Sequence, residues 1–259
     1  MIPMFQKLIV ELHSLCNRDC FFCPRHSDTS GHRKNANGTK VKRSMPSEMV
    51  HKILRDAEKL GFAGLVSFHH FSEPFLDQRL LDMAHLARKL GMRPYEHTNG
   101  DVLKRDEELC TAAREVFEYI VVGLYDHATP EQRHEAETFW RNRLGDKARF
   151  SVVDNVYPRS HFTDKNLDGF QARCGTRPAV KTYANSRCTA PVLRCMVHYT
   201  GNIALCCEDL KEEFGLGSAF DKELKELWYS SRHVEVIKDL RAGLRHKYEL
   251  CRKCPIPPN

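Results

Sequence analysis

Apolar residues along this chain fall into two alternating rhythms. Short continuous runs such as Leu8-Ile9-Val10 and Leu65-Val66-Ser67-Phe68 suit strands buried on both faces. Between them, Val50, Ile53, Leu54, Ala57 and Leu60 recur at helical spacing behind Ser47, read as a cap, and Gly61 ends the segment. Leu80, Met83, Ala84, Ala87 and Leu90 repeat the pattern up to Gly91. The same reading assigns strands to residues 93–97, 119–124 and 150–156, and helices to 103–116 and 130–144. Strands alternating with helices of this length predict parallel βαβ units with right-handed crossovers. The fold class is therefore α/β, with about six units before residue 160, short of a closed eight-stranded barrel.

From Cys188 onward the rhythm changes. Residues 196–206 read as a hairpin around Thr200-Gly201-Asn202. Leu224, Leu227 and Trp228 suggest a short helix, and Ser231 opens another that carries Val234, Ile237 and Leu240 and ends at Gly243. A hairpin, two helices and the terminal Cys251-x2-Cys254 bury too little to hold a core alone, which is where metal staples serve small modules. The expected division is 1–170 and 171–259.

Composition narrows the class. With 29% charged and 41% hydrophobic residues, the 259-residue chain is ordinary for a soluble globular protein. It holds no apolar run of the ~18 residues a membrane span needs, and residues 1–7 lack a signal-peptide core, so a cytoplasmic location is expected. Eleven cysteines in such a chain point to metal rather than to disulfides. A net charge of +6 does not call for nucleic acid. Much of it lies in residues 25–43, where Arg25, Arg33, Lys34, Lys40, Lys42 and Arg43 face one acid, Asp28. That stretch reads as a solvated loop or as a lid attracting an anionic group.

Candidate chemistry centres on Cys16-Asn17-Arg18-Asp19-Cys20-Phe21-Phe22-Cys23. Iron–sulfur clusters take Cys thiolates, and three ligands leave one iron of a four-iron cube open to a non-protein group. A zinc site is the other option; it wants four N/S ligands, which His13 or His26 could complete. Cys-x3-Cys-x-aromatic-Cys after a first strand resembles the signature of the radical S-adenosylmethionine (SAM) superfamily. That resemblance implies a partial (β/α)6 barrel and a [4Fe-4S] cluster on Cys16, Cys20 and Cys23, with Phe22 beside it. The open iron would chelate SAM, which is cleaved to a 5′-deoxyadenosyl radical. Phe71-Ser72-Glu73-Pro74 resembles the family's Gly-Gly-Glu segment at the SAM ammonium, with Ser72 where Gly is usual. Thr98-Asn99-Gly100 resembles its nucleoside-side turn, which makes Asn99 a cofactor contact.

Cys188, Cys206, Cys251 and Cys254 resemble the ligands of a shortened auxiliary-cluster domain, called twitch, which implies a second [4Fe-4S] cluster. Cys195 is a rival for Cys188, because one hairpin register sets it opposite Cys206. Zinc on the same four thiols, as in a non-redox binding module, is the alternative. Within the superfamily the chain is most similar to twitch-domain dehydrogenases, implying oxidation of a secondary alcohol in an aminocyclitol- or sugar-like molecule. The auxiliary cluster would then accept an electron, with a donor such as flavodoxin or ferredoxin upstream. Glu208 and Arg173 match substrate contacts of that group. An epimerase is the second expectation, needing a thiol donor from Cys110, Cys174, Cys195 or Cys207. Modification of a ribosomal peptide is the third.

Overall fold

A computed structural model describes residues 2–20, 22–28, 30–35, 37–127, 129–151, 174 and 181–258. Its first part runs β1 (Lys7–Val10), α1 (Ser47–Lys59), β2 (Leu65–Ser67), α2 (Leu80–Lys89), β3 (Arg93–Pro94) and β4 (Glu96–Thr98). Next come α3 (Asp101–Arg105), α4 (Glu107–Val116), β5 (Ile120–Gly123), α5 (Pro130–Leu144) and β6 (Ala148–Ser151). The C-terminal part holds α6 (Ala190–Leu193), β7 (Arg194–Val197), β8 (Ile203–Ala204), α7 (Leu224–Trp228), α8 (Ser231–Arg241) and α9 (Glu249–Arg252).

The strands lie in the order β3-β2-β1-β7-β8 and β4-β5-β6. All pairs are parallel except the β7–β8 hairpin. The strand expected at 93–97 splits at Tyr95. Its N–H reaches back to the Val66 carbonyl at 2.9 Å, whereas Glu96 N–H turns forward to Tyr119 at 3.2 Å. One chain segment thus hands the sheet from β2 to β5, and the two sheets form a single arc, a partial barrel. Among the described residues the arc holds five parallel strand positions before residue 152, and residues 152–156 of the last expected strand lie outside them.

Other boundaries shift for local reasons. Pro46 takes the cap position of α1, so Ser47 falls inside the first turn and its hydroxyl accepts from Arg79 at 2.9 Å. The helix expected at 103–116 breaks at Asp106, whose extended backbone lets its carboxylate cap α4 by accepting from Leu109 N–H at 2.8 Å. Ser230, not Ser231, caps α8 through His233 N–H.

The hairpin behaves least as expected. β7 docks in parallel on β1, with Cys195 beside Leu8. Its register with β8 pairs Met196 with Ala204 and Val197 with Ile203, so Cys195 falls opposite Leu205 rather than Cys206. Cys195 is 1% exposed and belongs to one apolar core that runs from Leu8, Val50 and Ile53 to Trp228 and Ile237. Trp228 also donates its indole N–H to the Pro3 carbonyl at 3.1 Å. The C-terminal part is therefore packed against the barrel along their shared core.

Residues 25–43 are no solvated arm. Arg33 is fully buried and grips both Glu11 carboxylate oxygens at 2.8 Å. Arg25 donates to the carbonyls of Ser14 and Phe71 at 2.7 and 2.6 Å. Burying a cation demands such partners, and the loop's basic residues are spent on fastening it.

Candidate active site

At the C-terminal ends of the strands, loops following β1, β2, β4 and β5 enclose a cavity of about 450 Å³. Cys16, Cys20 and Cys23 line it, with Phe22, Ser72, Glu73 and Asn99. The Cys loop turns tightly: Cys23 N–H bonds the Cys20 carbonyl and His26 N–H the Cys23 carbonyl, each at 2.9 Å. Burial, reinforced by Cys23 beside it, pushes the Cys20 thiol up to about 11. Such crowded thiols favour a cationic centre that neutralises them. Arg25 stands beside Cys16 and Cys23, and its buried Nη2 has no protein partner. Three thiols backed by a buried cation with a spare N–H fit an anionic thiolate cluster.

Glu73 and Asn99 meet. The Glu73 carboxylate accepts from Thr98 Oγ1 at 2.7 Å, Asn99 N–H at 2.8 Å and Phe75 N–H at 3.3 Å. It joins two strand-end turns, and burial lifts it to about 7. Asn99 Nδ2 reaches Asn17 at 2.8 Å and lies 3.9 Å from Cys16 Sγ. Gly100 completes the turn with φ +82°, where a Cβ would sit 2.6 Å from Trp140. Ser72 Oγ is buried without a protein partner. Phe22 packs edge-on against Tyr125, with centroids 5.4 Å apart.

The distal thiols gather from three separate segments. Cys188 and Cys254 are the charged neighbours that raise Cys251, after burial, to about 12. Cys254, up to about 11, has Cys188 near it, and Cys206 has Cys251. Cys195 rises through burial alone, with no thiol neighbour contributing. Arg245 is 1% exposed beside Cys251 and Cys254, donates to the Ile256 and Arg187 carbonyls, and keeps a buried Nε without a protein partner. This donor set also fits an anionic cluster.

Glu208 is 3% exposed and accepts from Cys174 N–H at 2.8 Å, while its own N–H points to Cys206 Sγ at 3.4 Å. From this stretch it is Cys207 that lines the cavity. Arg173 lies outside the described residues. Sequence reasoning passed over Arg18, Arg25, His69, His70, His97 and Tyr125, which all line the cavity. Their signal was position, since His69-His70 follow a strand and His97 lies within one.

Comparison with known proteins agrees with this geometry. Residues 188–255 match the family model described as SPASM, an iron–sulfur cluster-binding domain. The S-adenosyl-L-methionine-dependent 2-deoxy-scyllo-inosamine dehydrogenase of Niallia circulans is 23% identical, over 98% of this chain and 94% of that protein. Among solved structures, BtrN in complex with AdoMet and 2-DOIA superposes with a TM-score of 0.72 at 23% identity, covering 98% of this chain and 94% of that one. The anSMEcpe structure with bound AdoMet gives 0.59 at 16% identity, over 98% and 85%. With its Cys16-x3-Cys20-x2-Cys23 loop at the mouth of a partial barrel, the chain is a radical SAM protein that ends in a shortened SPASM iron–sulfur domain.

Proposed function

We propose that the protein is a radical SAM dehydrogenase that oxidises a secondary alcohol of an aminocyclitol- or sugar-like molecule. The observation that carries this reading is the pairing of two thiol sets around one core: three thiols on the cavity, and four gathered behind Cys207 on its wall. Cys16, Cys20 and Cys23 would hold the SAM cluster; Cys188, Cys206, Cys251 and Cys254 would hold the auxiliary one. When bound, these groups supply a 5′-deoxyadenosyl radical to take a hydrogen atom and a one-electron acceptor for the oxidation. The chain's own residues bind and orient the substrate, exclude water and move its hydroxyl proton. The dehydrogenase named above, matched along nearly its whole length, supports an alcohol substrate. A small iron–sulfur or flavin electron carrier would reduce the first cluster.

Cys207 on the cavity wall favours one competing reading, an epimerase that returns hydrogen from a thiol. The deciding experiment incubates reconstituted protein with SAM, reductant and a polyol and aminocyclitol panel in heavy water. A ketone from both wild type and Cys207→Ala supports the dehydrogenase. Deuterium uptake without ketone, lost in Cys207→Ala, supports the epimerase.

A further inference from the structure

Oxidising an alcohol requires something to take the hydroxyl proton, and Glu208, expected near the substrate, turns its carboxylate to the Cys174 N–H instead. The cavity offers a better-placed group. His69 directly follows β2, lines the cavity, and is 18% exposed at its side chain. Its Nδ1 lies 2.7 Å from Glu96 Oε1. Glu96 is fully buried, and backbone N–H groups fix it from both sides: Phe68 at 2.8 Å on Oε2 and His97 at 2.9 Å on Oε1. A carboxylate held this way dictates the imidazole's orientation and commits Nδ1, leaving Nε2 for the cavity. The His97 ring packs 4.5 Å from the His69 ring, and Tyr95 meets it edge-on at 6.1 Å, restricting rotation.

We propose that His69 is the proton acceptor for the substrate hydroxyl and that Glu96 is its positioning residue. The inference rests on the dehydrogenase reading. In this step the substrate O–H bond breaks and a bond from that proton to Nε2 forms, the O–H electron pair remaining on oxygen. The carbon-bound hydrogen atom and the last electron leave separately, to the organic radical and to an iron–sulfur acceptor.

The pair also sets a pH dependence. Burial lifts Glu96 to about 8 and holds His69 down to about 4. The other titratable or charged groups around the pair are Glu11, Lys7 and Arg194 from the neighbouring strands, His97 and Tyr95 from its own segment, and Glu73 across the barrel mouth. Below pH 8 Glu96 keeps its proton and can donate to Nδ1, so Nε2 carries N–H. Above it, the carboxylate accepts from Nδ1–H and Nε2 becomes a base. The titration belongs to the pair.

The test measures ketone and 5′-deoxyadenosine separately in wild type, His69→Gln, Glu96→Gln and Glu96→Asp, from pH 6 to 9.5. Ketone should fall ~100-fold or more in His69→Gln, the usual scale for a lost general base, while deoxyadenosine continues within severalfold. Wild-type ketone formation should rise with pH and level off above about 8. Glu96→Gln should flatten that profile and Glu96→Asp restore part of it, with thermal unfolding confirming that each variant is folded. Ketone within threefold of wild type in His69→Gln would overturn the proposal. A second readout needs no turnover: the ¹⁵N resonance of His69 Nε2 should pass from N–H to lone-pair character near pH 8 in wild type and not in Glu96→Gln. A wild-type resonance unmoved between pH 6 and 9.5 would overturn the pair. Absence of ketone from wild type on the whole panel would instead sink the dehydrogenase reading, and the nitrogen titration would still decide whether the pair exists.

Discussion

The two thiol sites solve one problem by opposite routes. Cys16, Cys20 and Cys23 come from a single turn of eight residues and stay partly open on a cavity. Cys188, Cys206, Cys251 and Cys254 converge from segments up to 67 residues apart, and Cys251 is buried. Yet each has an arginine behind it with a buried N–H that no protein group accepts: Arg25 Nη2 at the first site, Arg245 Nε at the second. An open set of three suits a cluster that must bind a further molecule, and a closed set of four suits one that only exchanges electrons. Burial follows function here.

The strongest way to break the comparison is to remove a thiol from the local site. Cys16, Cys20 or Cys23→Ala should abolish 5′-deoxyadenosine formation while about half the iron remains, since the other site keeps its own four ligands. SAM cleavage that persists would show that the open site is not where SAM is held.

Removing a thiol from the dispersed site should spare SAM cleavage. Cys188→Ala is expected to lose the second set of irons and ketone formation together. Cys195→Ala should keep both, because Cys195 packs beside Leu8 in the core with no thiol neighbour. Iron content and paramagnetic resonance read the difference. The reverse outcome would move the ligand to Cys195.

A third change tests what lies beneath the open site. Arg33→Met leaves Glu11 buried without its bidentate partner, and breaking such a pair typically costs ~3–5 kcal/mol. Urea unfolding should register that loss, along with looser packing of residues 25–43. A cost below ~1 kcal/mol, the scale of a surface pair, would mean the loop is held by other contacts.

What the sequence revealed tracks how local each cause is. The Cys16 turn, the helix at 130–144 and the distal hairpin were legible because their spacing is short-range chemistry. The split of strand 93–97 was not, since it depends on which of two neighbours, Val66 or Tyr119, accepts each N–H. Nor was the register that turns Cys195 into the core, which β1 fixes from nearly 190 residues away. The basic run misled most. Its charges looked solvated because sequence cannot reveal that Glu11 and the Ser14 and Phe71 carbonyls await Arg33 and Arg25. His69 and Glu96 were hidden likewise, a His and a Glu 27 residues apart that only adjacent strand ends bring to 2.7 Å.

The smallest expected effect falls where the two sites meet. Glu208 follows Cys206 and Cys207, so its carboxylate has the cavity wall on one side and the dispersed thiols on the other. Cys254 feels its charge. If Glu208 contacts substrate, Glu208→Gln should weaken binding by ~1–3 kcal/mol, the cost of removing a charged partner from a buried polar group. If it serves only the dispersed site, substrate KM should hold while the second cluster's reduction potential rises, because a negative charge beside it has gone. The Gln oxygen can still accept from Cys174 N–H, so the local backbone should stay in place. Measuring KM and potential on the same variant separates the two roles. A change in KM alone ties Glu208 to the cavity, a change in potential alone ties it to the thiols, and movement in both marks it as the residue through which the two sites are coupled.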